Sequence, residues 1–235
     1  MKIFALSDFH LSFAVDKPMN IFGEHWQNYE TEIQKNWNAV VGPDDIGIIA
    51  GDISWAMRME ETQADFDFIR NLNGTKIIIR GNHDYWWKSV SKIRAFVGDK
   101  IKVLQNDSVT IGDVIFVGTR GWQTPERGRV QSEEDKKIYD REVMRFEMSL
   151  QSAGDKGDKK LVAILHYPPF NCLRDDSPFT QLCEKYHVDA VVYGHLHGKG
   201  GRGDLVYTKN GIKYYLTSTD LLRHNPMAIT LDHVL

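Results

Sequence analysis

Ile46-Gly47-Ile48-Ile49-Ala50-Gly51-Asp52 is a short apolar run that ends on a glycine and a carboxylate. It reads as a strand whose end delivers Asp52 to an edge. Four other stretches follow the same pattern. Ile3–Leu6 runs into Ser7-Asp8-Phe9-His10, and Lys76–Ile79 runs, one residue on, into Gly81-Asn82-His83-Asp84. Leu161–Leu165 runs into His166, and Ala190–Tyr193 into Gly194-His195-Leu196-His197. Open α/β sheets hold their ligands just beyond the carboxyl ends of the strands. Five strands bringing Asp, Asn and His to one edge therefore predict a site. Five of the nine histidines lie in these clusters.

Between the strands lie amphipathic stretches. Glu24–Val41 carries Trp26, Tyr29, Ile33, Trp37 and Val40 at three- and four-residue steps, the spacing of a helix with one buried face. Helices are also expected over Glu60–Leu72, Trp86–Val97, Ser132–Leu150 and Phe179–Tyr186. Ile101–Leu104 reads as a strand, and Val109–Ile111 with Val114–Val117 as a hairpin across Gly112-Asp113. The tail reads as a hairpin, Leu205–Thr208 with Lys213–Leu216, and a last strand near Ala228–Leu231. Alternating β and α in front, with β pairs behind, predict one α/β domain over residues 1–235, two sheets packed between helix layers.

The 235 residues suffice for a full core, so no staple is needed merely to fold. A net charge of -3 argues against a dedicated duplex-DNA binder. It suits small anionic substrates if a metal supplies positive charge. Two cysteines, Cys172 and Cys183, exclude a disulfide framework and a four-thiolate zinc site. Met1–Leu6 is too short for a signal peptide, and no stretch approaches the ~20 apolar residues that cross a bilayer. A soluble cytoplasmic chain without a membrane partner is expected.

Carboxylates, an amide and imidazoles, with no thiolate, suit Mn, Fe, Ni or Zn. The seven candidates, Asp8, His10, Asp52, Asn82, His166, His195 and His197, are too many for one tetrahedral ion. They fit two divalent ions sharing a carboxylate, the arrangement that clamps both oxygens in phosphoryl displacement.

The order Asp8-Phe9-His10, Gly51-Asp52, Gly81-Asn82-His83-Asp84, His166, Gly194-His195-Leu196-His197 resembles that of the calcineurin-like metallophosphoesterases. The resemblance implies a four-layer α/β/β/α sandwich with two mixed β-sheets. It implies that Asp8, His10 and His197 hold one ion, that Asn82, His166 and His195 hold the other, and that Asp52 bridges them. His83 would face the leaving group as the catalytic acid, with attack by a hydroxide bridging the ions. Mn or Fe is favoured. The protein Ser/Thr phosphatases of the family extend the second motif as Gly-Asp-x-x-Asp-Arg-Gly. Here it reads Gly51-Asp52-Ile53-Ser54-Trp55-Ala56-Met57, without that Asp and Arg. The set is closer to the small bacterial phosphodiesterases. Leu196 stands where those acting on cyclic nucleotides usually carry Thr, which counts against cyclic nucleotides. The expected activity is hydrolysis of small phosphodiesters or nucleotide-like phosphoesters. The alternatives are a binding scaffold that kept the fold and lost catalysis, and a nuclease of the same family, though nucleic acid is not the expected partner.

Other features are weighed beside these. Gly198-Lys199-Gly200-Gly201-Arg202-Gly203 matches a dinucleotide fingerprint, but a strand follows rather than a helix, so a basic loop near His197 is the better reading. Trp86 and Trp87 are read first as core and second as a base-stacking platform. Arg58, Arg120 and Arg174 are candidate phosphate clamps. The cysteines are read as ordinary thiols.

Overall fold

The computed structural model describes residues 1–198 and 203–231. Eleven strands and five α-helices follow one another as β1 (Ile3–Ala5), α1 (Tyr29–Val40), β2 (Ile46–Ile49), α2 (Gln63–Arg70), β3 (Thr75–Ile78), α3 (Val90–Val97), β4 (Ile101–Val103), β5 (Ser108–Ile111), β6 (Val114–Thr119), α4 (Glu133–Ser152), β7 (Lys160–Leu165), α5 (Pro178–Lys185), β8 (Ala190–Tyr193), β9 (Val206–Lys209), β10 (Ile212–Leu216) and β11 (Met227–Ala228). They form a five-stranded sheet of order β11-β1-β2-β3-β4 and a six-stranded sheet of order β5-β6-β7-β8-β10-β9. Pairing is parallel in the middle of both sheets and antiparallel where β11, β5 and β9 join.

Side-chain alternation sorts the strands into three apolar layers. Ile46, Ile48, Ile77 and Ile3 of the first sheet meet Phe116, Val162, Ile164 and Val192 of the second between the sheets. Phe4, Ile49 and Ile78 turn outward onto Ile33, Trp37, Phe66 and Ile93 of α1, α2 and α3. Ile115, Val117, Ala163 and Val191 turn outward onto Phe146, Leu150, Phe179 and Cys183 of α4 and α5. Both faces of each sheet are covered, which is why the central strands read as unbroken apolar runs. The result is the four-layer α/β/β/α sandwich. Among the described residues no helix is long and apolar enough to cross a membrane.

Three expected helices begin later than their patterns suggest. Glu24–Trp26 is a separate 3-10 turn, and Asn28, at φ 53°, breaks the chain before α1. The segment therefore delivers Trp26 onto Tyr29 and His224 rather than along the helix face. Trp86 and Trp87 precede α3 altogether. Adjacent residues on a helix point about 100° apart, yet both indoles are buried, with Trp86 Nε1 donating to Asp84 Oδ1 at 3.1 Å and Trp87 Nε1 to Gln105 Oε1 at 2.6 Å. These two anchors hold the segment in a turn. The helix expected over Glu60–Leu72 likewise opens with a 3-10 turn, Met59–Thr62.

Gly47 shows how closely α1 lies on the first sheet. A Cβ there would land on the ring of the fully buried Trp37, whose Nε1 donates to Asn73 O at 3.0 Å. Gly47→Ala should therefore cost about 1–3 kcal/mol through overpacking. Urea unfolding should show a lower midpoint with an unchanged slope; an unaltered midpoint would mean that α1 can slide away freely.

Candidate metal centre

The two sheets present the carboxyl ends of β1, β2, β3, β7 and β8 on one edge. All seven candidate ligands meet there. His10 Nε2 lies 3.4 Å from His197 Nε2, and His197 Nε2 lies 3.5 Å from Asp8 Oδ1. Asn82 Oδ1 lies 2.7 Å from His166 Nε2 and 3.0 Å from His195 Nδ1. Asp52 Oδ2 stands between the two groups, 3.5 Å from His166 Nε2 and 3.8 Å from His10 Nε2. Ligand bonds of ~2.0–2.2 Å place neighbouring donors on one ion about 3.0–3.5 Å apart. The observed separations fall close to that range.

The backbone is bent to make this possible. Asp8, His10, Asp52 and His195 have φ of 61°, 49°, 49° and 72°, so four of the seven candidates occupy the left-handed region. Such positions cost of order 1–3 kcal/mol each and persist where surroundings over-determine them. Those surroundings are visible. Asp8 accepts the His195 N–H at 3.1 Å on each oxygen, and Asp52 Oδ1 accepts the His83 N–H at 2.8 Å. A Cβ on Gly81 would overlap Asp52, and one on Gly194 would overlap Asp8. The motif glycines are thus the seats of the two carboxylates. Asp84 ties the loops together: Oδ1 accepts from Ile53 and Ser54 N–H at 2.9 and 3.2 Å, and Oδ2 from Gly81 N–H at 2.7 Å.

Tautomers follow from the partners. His166 Nδ1 is 2.9 Å from the Ala50 carbonyl, which can only accept, so Nδ1 carries the proton and Nε2 presents a lone pair. That lone pair faces the Asn82 amide oxygen, and a cation reconciles two such acceptors. His197 Nδ1 sits 2.8 Å from Asp220 Oδ1, which also turns Nε2 inward. This is the carboxylate–imidazole pairing that orients metal-binding histidines. Asp220 was not among the sequence candidates. It follows β10 in Thr217-Ser218-Thr219-Asp220, a sixth polar cluster beyond a strand end, and that placement was its available signal.

Charge completes the fit. Asp8 and Asp52 are buried, and among the described residues their ion-pair partners are histidines only. Burial and the charge of Asp8 push the Asp52 carboxyl up to about 8. Burial works against ionisation of Asp8, but the hydrogen bond and charge of His197, then His166 and His10, hold it well below the usual range. Burial also drives His10 and His195 down to about 3, leaving them neutral. Burial disfavours the charged form of His197 too, yet Asp220 and Asp8 outweigh it and raise that imidazole to about 10. Asp8, His10 and His197 form one group able to hold an ion, and Asp8, Asp52 and His166 another.

His83 is placed differently from its neighbour Asn82. Its ring packs against Trp55 at 4.4 Å, beside His10 at 5.6 Å, and Nδ1 is buried without a partner among the described residues. The remaining candidates divide. Trp86 and Trp87 are buried as core, Trp87 also bordering a neighbouring cavity. Arg58 pairs with Glu61 at the surface, and Arg174 pairs with Asp204 and stacks on Tyr207. Cys172 is exposed and Cys183 buried. Lys199, Gly200, Gly201 and Arg202 of the basic loop lie outside the described residues.

The calcineurin-like phosphoesterase model matches residues 1–199. The chain belongs to that family, and is a metal-dependent phosphoesterase. Solved structures share the fold at low identity. The protein TT1561 of Thermus thermophilus is 11% identical over 98% of each chain with a TM-score of 0.62. The phosphopantetheinyl hydrolase of Mycobacterium tuberculosis is 14% identical, covering 98% of this chain and 96% of its own, with a TM-score of 0.60. A protein of unknown function from Aquifex aeolicus is 15% identical over 97% and 95%, with a TM-score of 0.52. No curated protein matches by sequence.

Two predictions come from this geometry. Burial and the Asp8 charge raise Asp52, and Asp220 and Asp8 raise His197, so both hold protons more tightly than free side chains in the metal-free protein. Metal competes with those protons, so uptake should release protons and tighten as pH rises from 6 to 8. Calorimetry in buffers of different ionisation enthalpy measures this, and uptake without proton release would contradict the charge assignment. Asp220→Asn should weaken metal binding by about 10–100-fold, the usual cost of losing such a partner. Competition with a chelating dye reads it; unchanged affinity would make Asp220 a bystander.

Proposed function

We propose that the chain hydrolyses small phosphodiesters or nucleotide-like phosphoesters with two divalent ions, Mn or Fe favoured. Asp8, His10 and His197 would hold one ion, Asn82, His166 and His195 the other, with Asp52 shared. When bound, such ions supply positive charge for the phosphoryl oxygens and a water-derived nucleophile near neutral pH. The observation that carries the reading is the convergence of these donors next to a cavity. A cavity of about 350 Å³ opens beside His195, walled by Tyr167, Phe170 and Leu196 with Arg174 and Asn171 at its rim. The aromatic and aliphatic walls can take an organic substituent on the phosphate, and the polar remainder of the lining, with Glu126 and Asp204 among it, favours a substituent that also hydrogen-bonds.

The chain's own residues would orient and protonate. Tyr167 lies 4.1 Å from the His195 ring, fixing that ligand and one wall together. His83, held through its backbone by Asp52, would give a hydrogen bond or proton to the leaving oxygen. Burial, with the charges of His166 and His197, lowers its pKa, while the negative charge of a bound phosphate pulls the other way.

The test supplies Mn²⁺ to metal-stripped protein with matched phosphomonoester, phosphodiester and cyclic-nucleotide substrates. The diester should turn over best. Metal binding without turnover of any phosphoester would favour the binding-scaffold reading. Mg²⁺ should be a poor activator, because four imidazoles suit it badly and it keeps its waters. His83→Gln should keep both ions yet slow hydrolysis by about 10²–10⁴-fold for an alkoxide leaving group. The loss should be small for p-nitrophenolate, which leaves without a proton. Equal losses for both would make His83 structural.

A further inference from the structure

On the same edge, but beyond β3, β4 and β6, lies a second cavity of about 200 Å³. Its charged lining is Arg80, Lys88, Arg120, Arg145 and Glu142, four cations against one carboxylate. Glu142 is itself committed. It is buried, Arg145 Nη1 donates to Oε1 at 2.6 Å, Arg120 Nη2 lies 3.7 Å from the same oxygen, and the Thr119 hydroxyl donates to Oε2 at 2.7 Å. Arg120 is fixed further by stacking on Trp122 at 4.7 Å. Arg80 differs from these two. It makes no ion pair among the described residues, and its Nε is buried without a hydrogen-bond partner. Burial, and the nearby charges of Arg80 and Arg145 acting against Glu142, depress the Arg120 guanidinium.

Glu142 thus aligns two guanidiniums and leaves the third uncompensated. Arg80 is half-buried with its Nε shielded from water, and a cation so placed gains from a counter-ion; guanidinium forks match tetrahedral oxyanions. We infer that this cavity is a second anion site, built for a phosphate-type dianion and separate from the metal centre. The link to the centre is short. Arg80 precedes Gly81-Asn82, and the Arg120 carbonyl accepts the His166 and Tyr167 N–H groups at 3.0 and 3.1 Å. The anion is either a second phosphoryl group carried by the substrate or free phosphate. The site stands on its own lining residues and does not depend on the substrate proposed above.

The experiment titrates inorganic phosphate into the Mn-loaded protein by calorimetry, with Arg80→Gln and Lys88→Gln beside the wild type. Arg80 adjoins the metal loop, so metal content is measured for each variant; Lys88 is exposed and its replacement leaves the core alone. Two phosphates should bind the wild type, one at the ions and one in the cavity. Arg80→Gln should weaken one of them by about 10–100-fold, the usual worth of a charge-assisted hydrogen bond. Lys88→Gln should weaken the same one several-fold. A single phosphate insensitive to both substitutions would overturn the site. A second arm compares p-nitrophenyl thymidine 5′-phosphate with its 3′-phosphorylated form. A wild-type preference for the second, lost in Arg80→Gln, identifies a substrate phosphoryl group. No preference, with the second phosphate still lost from the variants, identifies free phosphate. If neither ester is hydrolysed, the phosphate titration still decides the site.

Discussion

Two carboxylates, Asp8 and Asp52, are buried at the edge of two sheets, and among the described residues no lysine or arginine pairs with either. Like charges that close cannot both ionise without cations between them. Much of the local architecture serves to hold them there. Gly81 and Gly194 lack the side chains that would displace them, and backbone N–H groups of His83 and His195 bind them. Asp84, fully buried, is pushed up to about 6 by burial and the Asp52 charge while it pins the loop after β2 to its own loop after β3. Of the imidazoles around this pair, His166 turns a lone pair inward because its Nδ1 is held by the Ala50 carbonyl. Metal-free, the arrangement is electrostatically incomplete, and a bound cation is what would complete it.

Such a cluster needs a platform that does not relax. The layer between the sheets supplies it, with Ile46, Ile48 and Ile77 facing Phe116, Val162 and Ile164. Close-packed interiors yield little, so strand ends keep their spacing and the left-handed turns at Asp8, His10, Asp52 and His195 stay fixed. Relaxing any of these turns would swing a donor out of the cluster. The strain is local, while the burial opposing it is distributed over three apolar layers.

Most of the site was legible because its residues follow strands directly. A strand end has few ways to point, so a polar residue one or two positions beyond an apolar run lands on the edge. Helix starts were less legible. The periodicity of Trp26, Tyr29 and Ile33 fits a helix from Glu24, but Asn28 breaks it; Asn tolerates a positive φ, yet the apolar spacing outweighs that weak local signal. Trp86 and Trp87 misled for another reason: their indole partners, Asp84 and Gln105, come from outside any helix.

The amino-acid sequence by itself determined the alternation of strands and helices, the donor types and their order, because these rest on local periodicity and residue chemistry. Only the tertiary structure decided which nitrogen of His166 and of His197 faces inward, since that depends on Ala50 and Asp220, distant in the chain. It alone decided that Arg80, Arg120 and Arg145 share one cavity, because β3, β6 and α4 meet only when the two sheets pack face to face. Local order comes from bonded neighbours; charge balance comes from whatever the fold brings within a few ångströms.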